Sequence, residues 1–336
     1  MSRRLLLVSP TFHGYWRSIE RAFTELGYQT VTHCYDAAPR SEKVWNKLRH
    51  ELPARVRGER RHLSHELVTA RAIAALREAR PDVVLVVRGD ALTADFWQEV
   101  RTLGARPAMW LYDELRRTHH DPSTIGSWAA IATYSADDAA DLRRAGVPAE
   151  HVPLAFDPTL TPDPSRVTGV PAFTFIGARY GRREEYLRAL MAAGMPVRAF
   201  GRDWSSHPVD LARTFRASPV GLPWGRDLPL ADAYRVMAGS VATLNVHGDQ
   251  DGFTMRTFEA AGVGAVQLVD RPDVADLYEP GSEVLVFTDP DELARLARDV
   301  LASSDRMAAL REAARRRTLA EHTFGHRARR LASLWD

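Results

Sequence analysis

Apolar runs of strand length alternate with segments of helical periodicity along most of this chain of 336 residues. Val83–Val87 is a continuous, mostly β-branched run typical of a strand buried on both faces of a sheet. Residues 15–26 have helical spacing that stops at Gly27, and another helical segment ends before Pro81. Because neighbouring parallel strands need a crossover segment between them, this alternation predicts an α/β chain with doubly wound parallel sheets.

A proline-rich stretch divides the alternation into two halves of similar length. Between Phe156 and Pro171 the helical and strand periodicity is lost, and the segment contains Pro158, Pro162 and Pro164. The sequence therefore predicts an N-terminal Rossmann-like domain (1–157), a linker (158–171), a C-terminal Rossmann-like domain (172–320) and a final helix (321–336) that packs back on the N-terminal domain. Two such domains are expected to face each other across a cleft, with ligands at the carboxyl ends of strands.

Composition narrows the environment and the partners. A single cysteine, Cys34, excludes an internal disulfide and a multi-cysteine zinc site, which favours a cytoplasmic protein. No run of about 18 apolar residues is present, so no membrane span is expected. A net charge of +2 gives no reason to expect a nucleic-acid partner. The basic segment 40–62 is either a solvated surface or a contact for an anionic acceptor or a membrane. The protein is expected to be a monomer or a homodimer.

Three common nucleotide or hydrolase motifs are missing. The first predicted strand–helix turn, 9–14, has one glycine and no G-x-G-x-x-G pattern, which argues against a dinucleotide dehydrogenase. The P-loop pattern and the G-x-S-x-G elbow do not occur in the sequence. The fold class is therefore expected to serve a different chemistry.

Residues 244–262 are the most informative stretch of the sequence. A predicted strand ends near Asn245, a polar loop with glycines follows, and a helix begins near Phe253. Free amides at a helix N-terminus, together with the helix dipole, form an anion site that fits a diphosphate. Arg256 is placed to add a charged contact, and the Glu259 carboxylate is placed to accept two hydrogen bonds from a vicinal diol such as a ribose.

This stretch resembles a known family. Asp251-Gly-Phe followed by Glu259-Ala resembles the Glu-x7-Glu signature of retaining GT-B glycosyltransferases. Asn245, Arg256-x-Phe-Glu259-x-x-Gly262 and 278–283 are similar to the spore-maturation CgeB-like branch of the glycosyl transferases group 1. Segments 175–187 and 197–204 resemble the first turns of the donor domain in that family. The resemblance covers approximately residues 105–320.

The resemblance implies a role for each matching residue in a donor site. Glu259 would bind the donor ribose, and Arg179, Arg182 and Arg256 would bind the diphosphate. The amides of Gly252, Phe253 and Thr254 would face phosphate or sugar, and Asp251 would contact sugar hydroxyls near the reaction centre. Further donor-binding residues are Asn245 and His247, together with Gly201, Trp204 and Gly225 beside the base.

On the acceptor side, two residues follow strands of the N-terminal half. His13 and Asp113 each could orient an acceptor hydroxyl or act as its base, although a loop histidine and a helix cap are the structural alternatives. Asp249-Gln-Asp251 also spells the D-x-D metal motif of GT-A enzymes, but it lies too late in the chain for that fold. No metal and no cofactor are therefore expected.

The resemblance implies a hexosyltransferase that moves a sugar from a UDP- or dTDP-type nucleotide sugar to an acceptor, with retention of configuration. The acceptor would be a small molecule, a natural product or a surface glycan. Two alternatives stay open at this point. A nucleotide-sugar epimerase on the same fold would convert the donor alone, and a non-catalytic protein would only bind the sugar nucleotide.

Overall fold

A computed structural model describes residues 2–37, 63–215 and 220–336. Its contacts divide the chain into two compact units, Met1–Pro153 with Phe324–Asp336 (unit 1) and Leu154–Thr323 (unit 2). The basic segment 40–62 lies outside the described residues. Within the described ranges, no helix has both the length and the apolar character needed to cross a membrane.

Unit 1 is built on a parallel sheet that has six strands in the described part of the chain, in the order β2-β1-β3-β4-β5-β6. The strands are β1 Arg4–Ser9, β2 Gln29–Cys34, β3 Val83–Val87, β4 Arg106–Leu111, β5 Ala130–Thr133 and β6 Ala149–His151. The helices that precede unit 2 are α1 Tyr15–Glu25, α2 Leu63–Ala79, α3 Ala94–Thr102 and α4 Ala136–Arg144. All five residues of β3 are buried, as the uninterrupted apolar run predicts for a central parallel strand.

Unit 2 contains a second parallel sheet, again with six strands among the described residues, in the order β12-β11-β10-β7-β8-β9. The strands are β7 Val170–Ile176, β8 Val197–Phe200, β9 Trp224–Gly225, β10 Ser240–Asn245, β11 Gln267–Val269 and β12 Leu285–Val286. The helices are α5 Arg183–Ala192, α6 Pro208–Arg213, α7 Leu230–Gly239, α8 Met255–Gly262, α9 Pro290–Ala302 and α10 Ser304–Glu321. Strand order reverses between β7 and β10, and such reversals open a ligand crevice at the carboxyl ends of the strands.

The predicted α/β class with two doubly wound parallel sheets is confirmed. The first strand of unit 2 begins at Val170, two residues before the predicted start of the C-terminal domain, so Pro171 is part of β7. Proline has no N–H to donate to a neighbouring strand. Pro171 is tolerated because the register between β7 and β10 shifts between Ser240 and Ala242, where this strand-to-strand hydrogen bond is not needed.

The C-terminal helix α11, Phe324–Ala332, is grouped with unit 1. The ring of Phe324 lies 6.4 Å from that of Tyr15 in α1. Beyond the helix, the Trp335 ring lies 5.8 Å from Phe23 of α1. These aromatic contacts attach the end of the chain to α1.

A buried carboxylate joins α6 to the residue after β9. Asp210 accepts hydrogen bonds from Ser205 Oγ at 2.8 Å and from Arg226 Nε and NH2 at 2.8 and 3.2 Å. The hydrogen bonds from the Arg226 guanidinium lower the pKa of Asp210 to about 2. A carboxylate whose pKa is lower in the folded than in the unfolded chain stabilises the fold at pH values above its unfolded pKa. This stabilisation is lost as the pH falls through the pKa of the folded state.

We therefore expect Asp210→Asn to lower the free energy of unfolding at pH 7. The difference from the wild type should narrow as the pH falls from about 4 towards 2, because the wild-type carboxylate is then protonated as well. Urea denaturation across this range measures it. Asp232→Asn, at an exposed carboxylate paired with Arg235, is the matched control and should change little. A deficit in Asp210→Asn that does not vary with pH would contradict this account.

Candidate functional site

The loops after β7 and β10 meet where strand order reverses in unit 2, and a buried arginine ties them together. Arg183, the first residue of α5, donates from Nε to the Val246 carbonyl at 2.9 Å and from NH1 to the Ala178 carbonyl at 3.0 Å. Its guanidinium lies 3.9 Å from the centre of the Tyr180 ring. Burial lowers the pKa of Arg183. Its hydrogen bonds are thus used to hold the two loops, which makes Arg183 a positioning residue.

Tyr180 forms a second connection between the same two loops. Gln250 donates from Nε2 to the Tyr180 hydroxyl at 3.0 Å, and the Gly248 amide donates to Gln250 Oε1 at 2.6 Å. A Cβ on Gly248 would stand 2.9 Å from the Tyr180 ring. Glycine is therefore required there for the close approach of the loop to the ring.

Arg271, two residues after β11, organises the loop that leads into α8. It donates to the carbonyls of Gln250 (2.8 Å), Asp251 (2.8 Å) and Gly252 (3.4 Å), and its guanidinium lies 4.3 Å from the centre of the Phe253 ring. Arg271 is not among the site residues predicted from the sequence. Its position just beyond the carboxyl end of a strand was the available signal.

The N-terminus of α8 offers main-chain amides at the end of this loop. Thr254 is the N-cap, and in the described structure its side chain makes no capping hydrogen bond. The first turn has no acidic residue to offset the positive end of the helix dipole. Gly252, Phe253 and Thr254, which were predicted to face phosphate or sugar, precede this helix end directly. The arrangement can accept an anionic oxygen.

Glu259 and Arg256 form a close pair within α8. Glu259 is fully buried, and its Oε2 accepts a hydrogen bond from Arg256 NH1 at 2.7 Å. The Arg256 side chain is 20% exposed, whereas the Glu259 side chain is not exposed. The two predicted donor-binding residues therefore contact each other. Removing one member of a buried ion pair leaves an uncompensated charge, which typically costs about 3–5 kcal/mol.

Asn245 and His247, at the end of β10, are both buried and both have partners in unit 2. The Asn245 side-chain amide donates to Thr257 Oγ1 at 2.6 Å and to Gln267 Oε1 at 3.1 Å. These bonds join β10, α8 and β11, so the Asn245 amide is used within the fold. The His247 backbone amide and Nδ1 both contact the Asp270 carboxylate, at 3.0 and 2.9 Å.

Gly201, Trp204 and Gly225, which were predicted to flank the base, lie at the ends of β8 and β9. Gly201 has φ +145°, and a Cβ there would stand 2.5 Å from the Gly177 carbonyl oxygen. Trp204 is fully buried and donates from Nε1 to the same carbonyl at 2.8 Å. A Cβ on Gly225 would collide with the Phe200 ring. Their observed contacts are with the core and the strand ends, and the buried Trp204 ring presents no free face.

The two other predicted diphosphate ligands lie between β7 and α5. Arg179 Nε donates to Glu184 Oε2 at 2.7 Å, in a partly exposed pair. The Arg182 guanidinium contacts the Tyr186 hydroxyl and the Thr288 carbonyl, the latter at 3.3 Å. Exposed pairs contribute at most about 1 kcal/mol, so Arg179 can be released to another anion at small cost.

Asp251 contributes its main-chain carbonyl to the Arg271 contact. Among the described residues, no group of three or more histidine, cysteine, aspartate or glutamate side chains is arranged to hold a metal ion.

The predicted acceptor-side residues lie at carboxyl ends of strands in unit 1. His13 is exposed after β1, in a left-handed conformation (φ +46°), with its ring 4.3 Å from Phe12. Asp113 follows β4 and accepts a charged contact from Arg88 NH1 at 3.3 Å. Burial raises the pKa of Asp113 against the opposing effect of Arg88. Its neighbour Glu114 is fully buried and binds the Tyr134 hydroxyl and Arg117.

Comparisons with known proteins identify the fold and a matching family model. Residues 182–333 match the family model described as glycosyl transferase-like. No curated protein sequence matches the chain. Among solved structures, sucrose-phosphate synthase from Thermosynechococcus elongatus has a TM-score of 0.67 at 13% identity and covers 99% of this chain and 98% of its own.

Two further structures match over nearly their full length. Anabaena HepE in complex with UDP-glucose has a TM-score of 0.65 at 11% identity, covering 98% of each chain. AviGT4, a glycosyltransferase involved in avilamycin A biosynthesis, has a TM-score of 0.62 at 14% identity, covering 99% of this chain and 97% of its own. The chain therefore has the GT-B fold, and its residues 182–333, which include α8, match the glycosyl transferase-like family.

Proposed function

We propose that this protein is a hexosyltransferase of the CgeB-like branch that uses a nucleotide-diphosphate sugar, of which UDP-glucose is the first candidate. The observation that carries the proposal is the α8 N-terminus at the strand reversal, with the buried Glu259 inside the same helix. The family match over 182–333 includes both features. The UDP-glucose bound to the similarly folded HepE supports the choice of nucleotide.

In this proposal, α8 and the amides at its N-terminus bind different parts of the donor. The amides that follow Gly252 bind the diphosphate, and the Glu259 carboxylate accepts hydrogen bonds from the ribose diol. Arg256, which pairs with Glu259, is proposed to share its charge with the leaving diphosphate. Preorganised amides and arginines stabilise the charge that develops as the anomeric carbon–oxygen bond breaks, so the chemistry requires no metal.

The acceptor oxygen then replaces the diphosphate oxygen on the anomeric carbon, with retention of configuration. Asp251 is proposed to hold sugar hydroxyls, and His13 or Asp113 to take the proton of the acceptor. The raised pKa of Asp113 would favour that role, because a base with a pKa nearer to the working pH holds a proton more effectively. The acceptor is proposed to be a small molecule, a natural product or a surface glycan.

A ligand panel tests the donor. The panel contains UDP, dTDP, GDP and ADP, each with the nucleotide sugars built on it. We expect one of these nucleotides and its nucleotide sugars to raise the melting temperature of the protein, because a ligand that binds only the folded state stabilises it. Calorimetry then gives the dissociation constants. If no nucleotide or nucleotide sugar binds, the proposal is wrong.

Turnover with and without an acceptor extract separates the three candidate functions. A transferase releases nucleoside diphosphate faster when acceptor is present, and this release should persist in EDTA. Isomerisation of the donor without acceptor would indicate an epimerase instead. Binding with neither reaction would indicate a non-catalytic sugar-nucleotide-binding protein.

A further inference from the structure

His247 is a buried histidine whose ring orientation is set by one carboxylate. It follows β10 at the point of strand reversal, and its side chain is 1% exposed. Asp270, directly after β11, accepts the His247 backbone N–H at 3.0 Å and stands 2.9 Å from Nδ1. Because an ionised carboxylate only accepts hydrogen bonds, the contact places a proton on Nδ1. In the neutral ring, Nε2 then carries a lone pair and acts as an acceptor.

The second ring nitrogen has no comparable contact. Nε2 of His247 is buried, and none of the residues that the structure describes donates a hydrogen bond to it. Buried polar atoms are nearly always hydrogen-bonded, so an orphaned acceptor at the edge of a ligand crevice indicates a ligand atom. The nearest aromatic neighbour is Phe253, whose ring stands edge-on at 5.2 Å and leads into the N-terminus of α8.

The chemistry of Nε2 limits what it can bind. A lone pair repels phosphate oxygens and attracts an uncharged donor such as a hydroxyl. The neighbouring charges are Asp270 on the far ring nitrogen and Arg271, whose guanidinium lies over Phe253 and the loop carbonyls. In the neutral ring, Nε2 therefore offers an uncharged acceptor beside the end of α8 that is proposed to bind phosphate.

We propose that His247 Nε2 accepts a hydrogen bond from a hydroxyl of the hexosyl group, and that Asp270 is the positioning residue that holds the ring for it. This inference rests on the proposed function, because it requires a nucleotide-sugar donor. Since Nε2 is covered by protein, binding also requires the partly exposed Phe253 ring to turn aside. Because only the nucleotide sugar carries the hexosyl hydroxyl, His247 and Asp270 would strengthen binding of the nucleotide sugar relative to the bare nucleotide.

Two substitutions separate the roles of the two ring nitrogens. In His247→Asn, the side-chain amide can replace Nδ1 and keep a hydrogen bond to Asp270, but nothing replaces Nε2. In His247→Gln, the longer side chain can place an oxygen acceptor near the position of Nε2. His322→Asn, at a buried histidine whose Nε2 contacts the Leu277 carbonyl, is the matched control.

We expect His247→Asn to weaken binding of UDP-glucose about threefold to tenfold, the range for one hydrogen bond, and to leave UDP binding within about twofold. His247→Gln should recover much of the loss, and His322→Asn should change neither constant. Asp270→Asn, which alters the partner of Nδ1, should reproduce the selective loss for UDP-glucose. If the panel selects another base, its diphosphate and nucleotide sugar replace UDP and UDP-glucose.

A measurement on the unmodified protein covers the case in which the variants do not fold. With ¹⁵N-labelled histidine, the Nε2 signal of His247 should shift on addition of UDP-glucose and stay in place with UDP. Equal weakening of both ligands in His247→Asn, or an Nε2 signal that UDP-glucose does not move, overturns this inference and leaves the proposed function standing. Failure of the wild type to bind any nucleotide sugar overturns both.

Discussion

Glu259→Gln is expected to weaken binding of the nucleotide-sugar donor by roughly 100-fold or more. The carboxylate is proposed to accept two hydrogen bonds from the ribose diol, and bonds to a charged group contribute about 1.5–3 kcal/mol each. Glutamine keeps the volume of the buried side chain, and the Arg256 charge that it leaves unpaired is partly exposed, so the variant should be less stable than the wild type but still folded. Calorimetry with the diphosphate and its sugar measures the loss, and a cooperative melting transition verifies the fold.

The matched control for this prediction is Glu312→Gln in α10. Glu312 also pairs with an arginine on its own helix, Arg316, at 3.4 Å, but that pair is exposed. The control should bind donor as the wild type does. If Glu259→Gln is folded and keeps wild-type affinity, Glu259 does not contact the donor, and the assignment of α8 as the donor helix is wrong.

Arg271→Met is expected to weaken donor binding about tenfold or more without unfolding unit 2. The substitution removes the hydrogen bonds to the carbonyls of Gln250, Asp251 and Gly252 but keeps an apolar stem beside Phe253. Each lost hydrogen bond contributes about 0.5–1.5 kcal/mol to holding the loop in place. Because this loop leads into the α8 amides, its loosening should reduce affinity for the diphosphate.

Limited proteolysis gives an independent readout of the same loop. Residues 248–253 contain no arginine or lysine but end in an aromatic residue, so chymotrypsin should cleave after Phe253 faster in Arg271→Met. Arg235→Met removes an exposed arginine that pairs with Asp232 in α7, and it serves as the control. Wild-type cleavage and affinity in Arg271→Met would show that Arg271 does not organise the site.

Most of the architecture could be predicted from the local periodicity of the sequence. The mostly β-branched run Val83–Val87 predicted a buried parallel strand, and the restart of the alternation after the prolines predicted a second sheet; both are confirmed. One positioning residue was also within reach of the sequence. Arg183, Tyr186, Leu187 and Leu190 follow helical spacing and are all buried in α5, which separates Arg183 from its neighbour Arg182.

Other residues of the site were outside the reach of local patterns. The position of Asp270 and Arg271 after a strand could be read from the sequence, but their partners, His247 and the carbonyls of the loop before α8, could not. Similarly, the sequence suggested that Arg256 and Glu259 each face a ligand, whereas the folded helix pairs them with each other. Side-chain partners of this kind depend on which atoms the complete fold buries together.

The sequence by itself determined the α/β class, the two parallel sheets and the helix that carries Arg256 and Glu259, because hydrophobic periodicity and glycine positions act over a few residues. Only the tertiary structure decided the strand order β11-β10-β7-β8. That order brings the loops after β7, β10 and β11 together, with Arg183, His247 and Arg271 between them. Strand order depends on contacts between distant segments, and no local pattern of residues encodes those contacts.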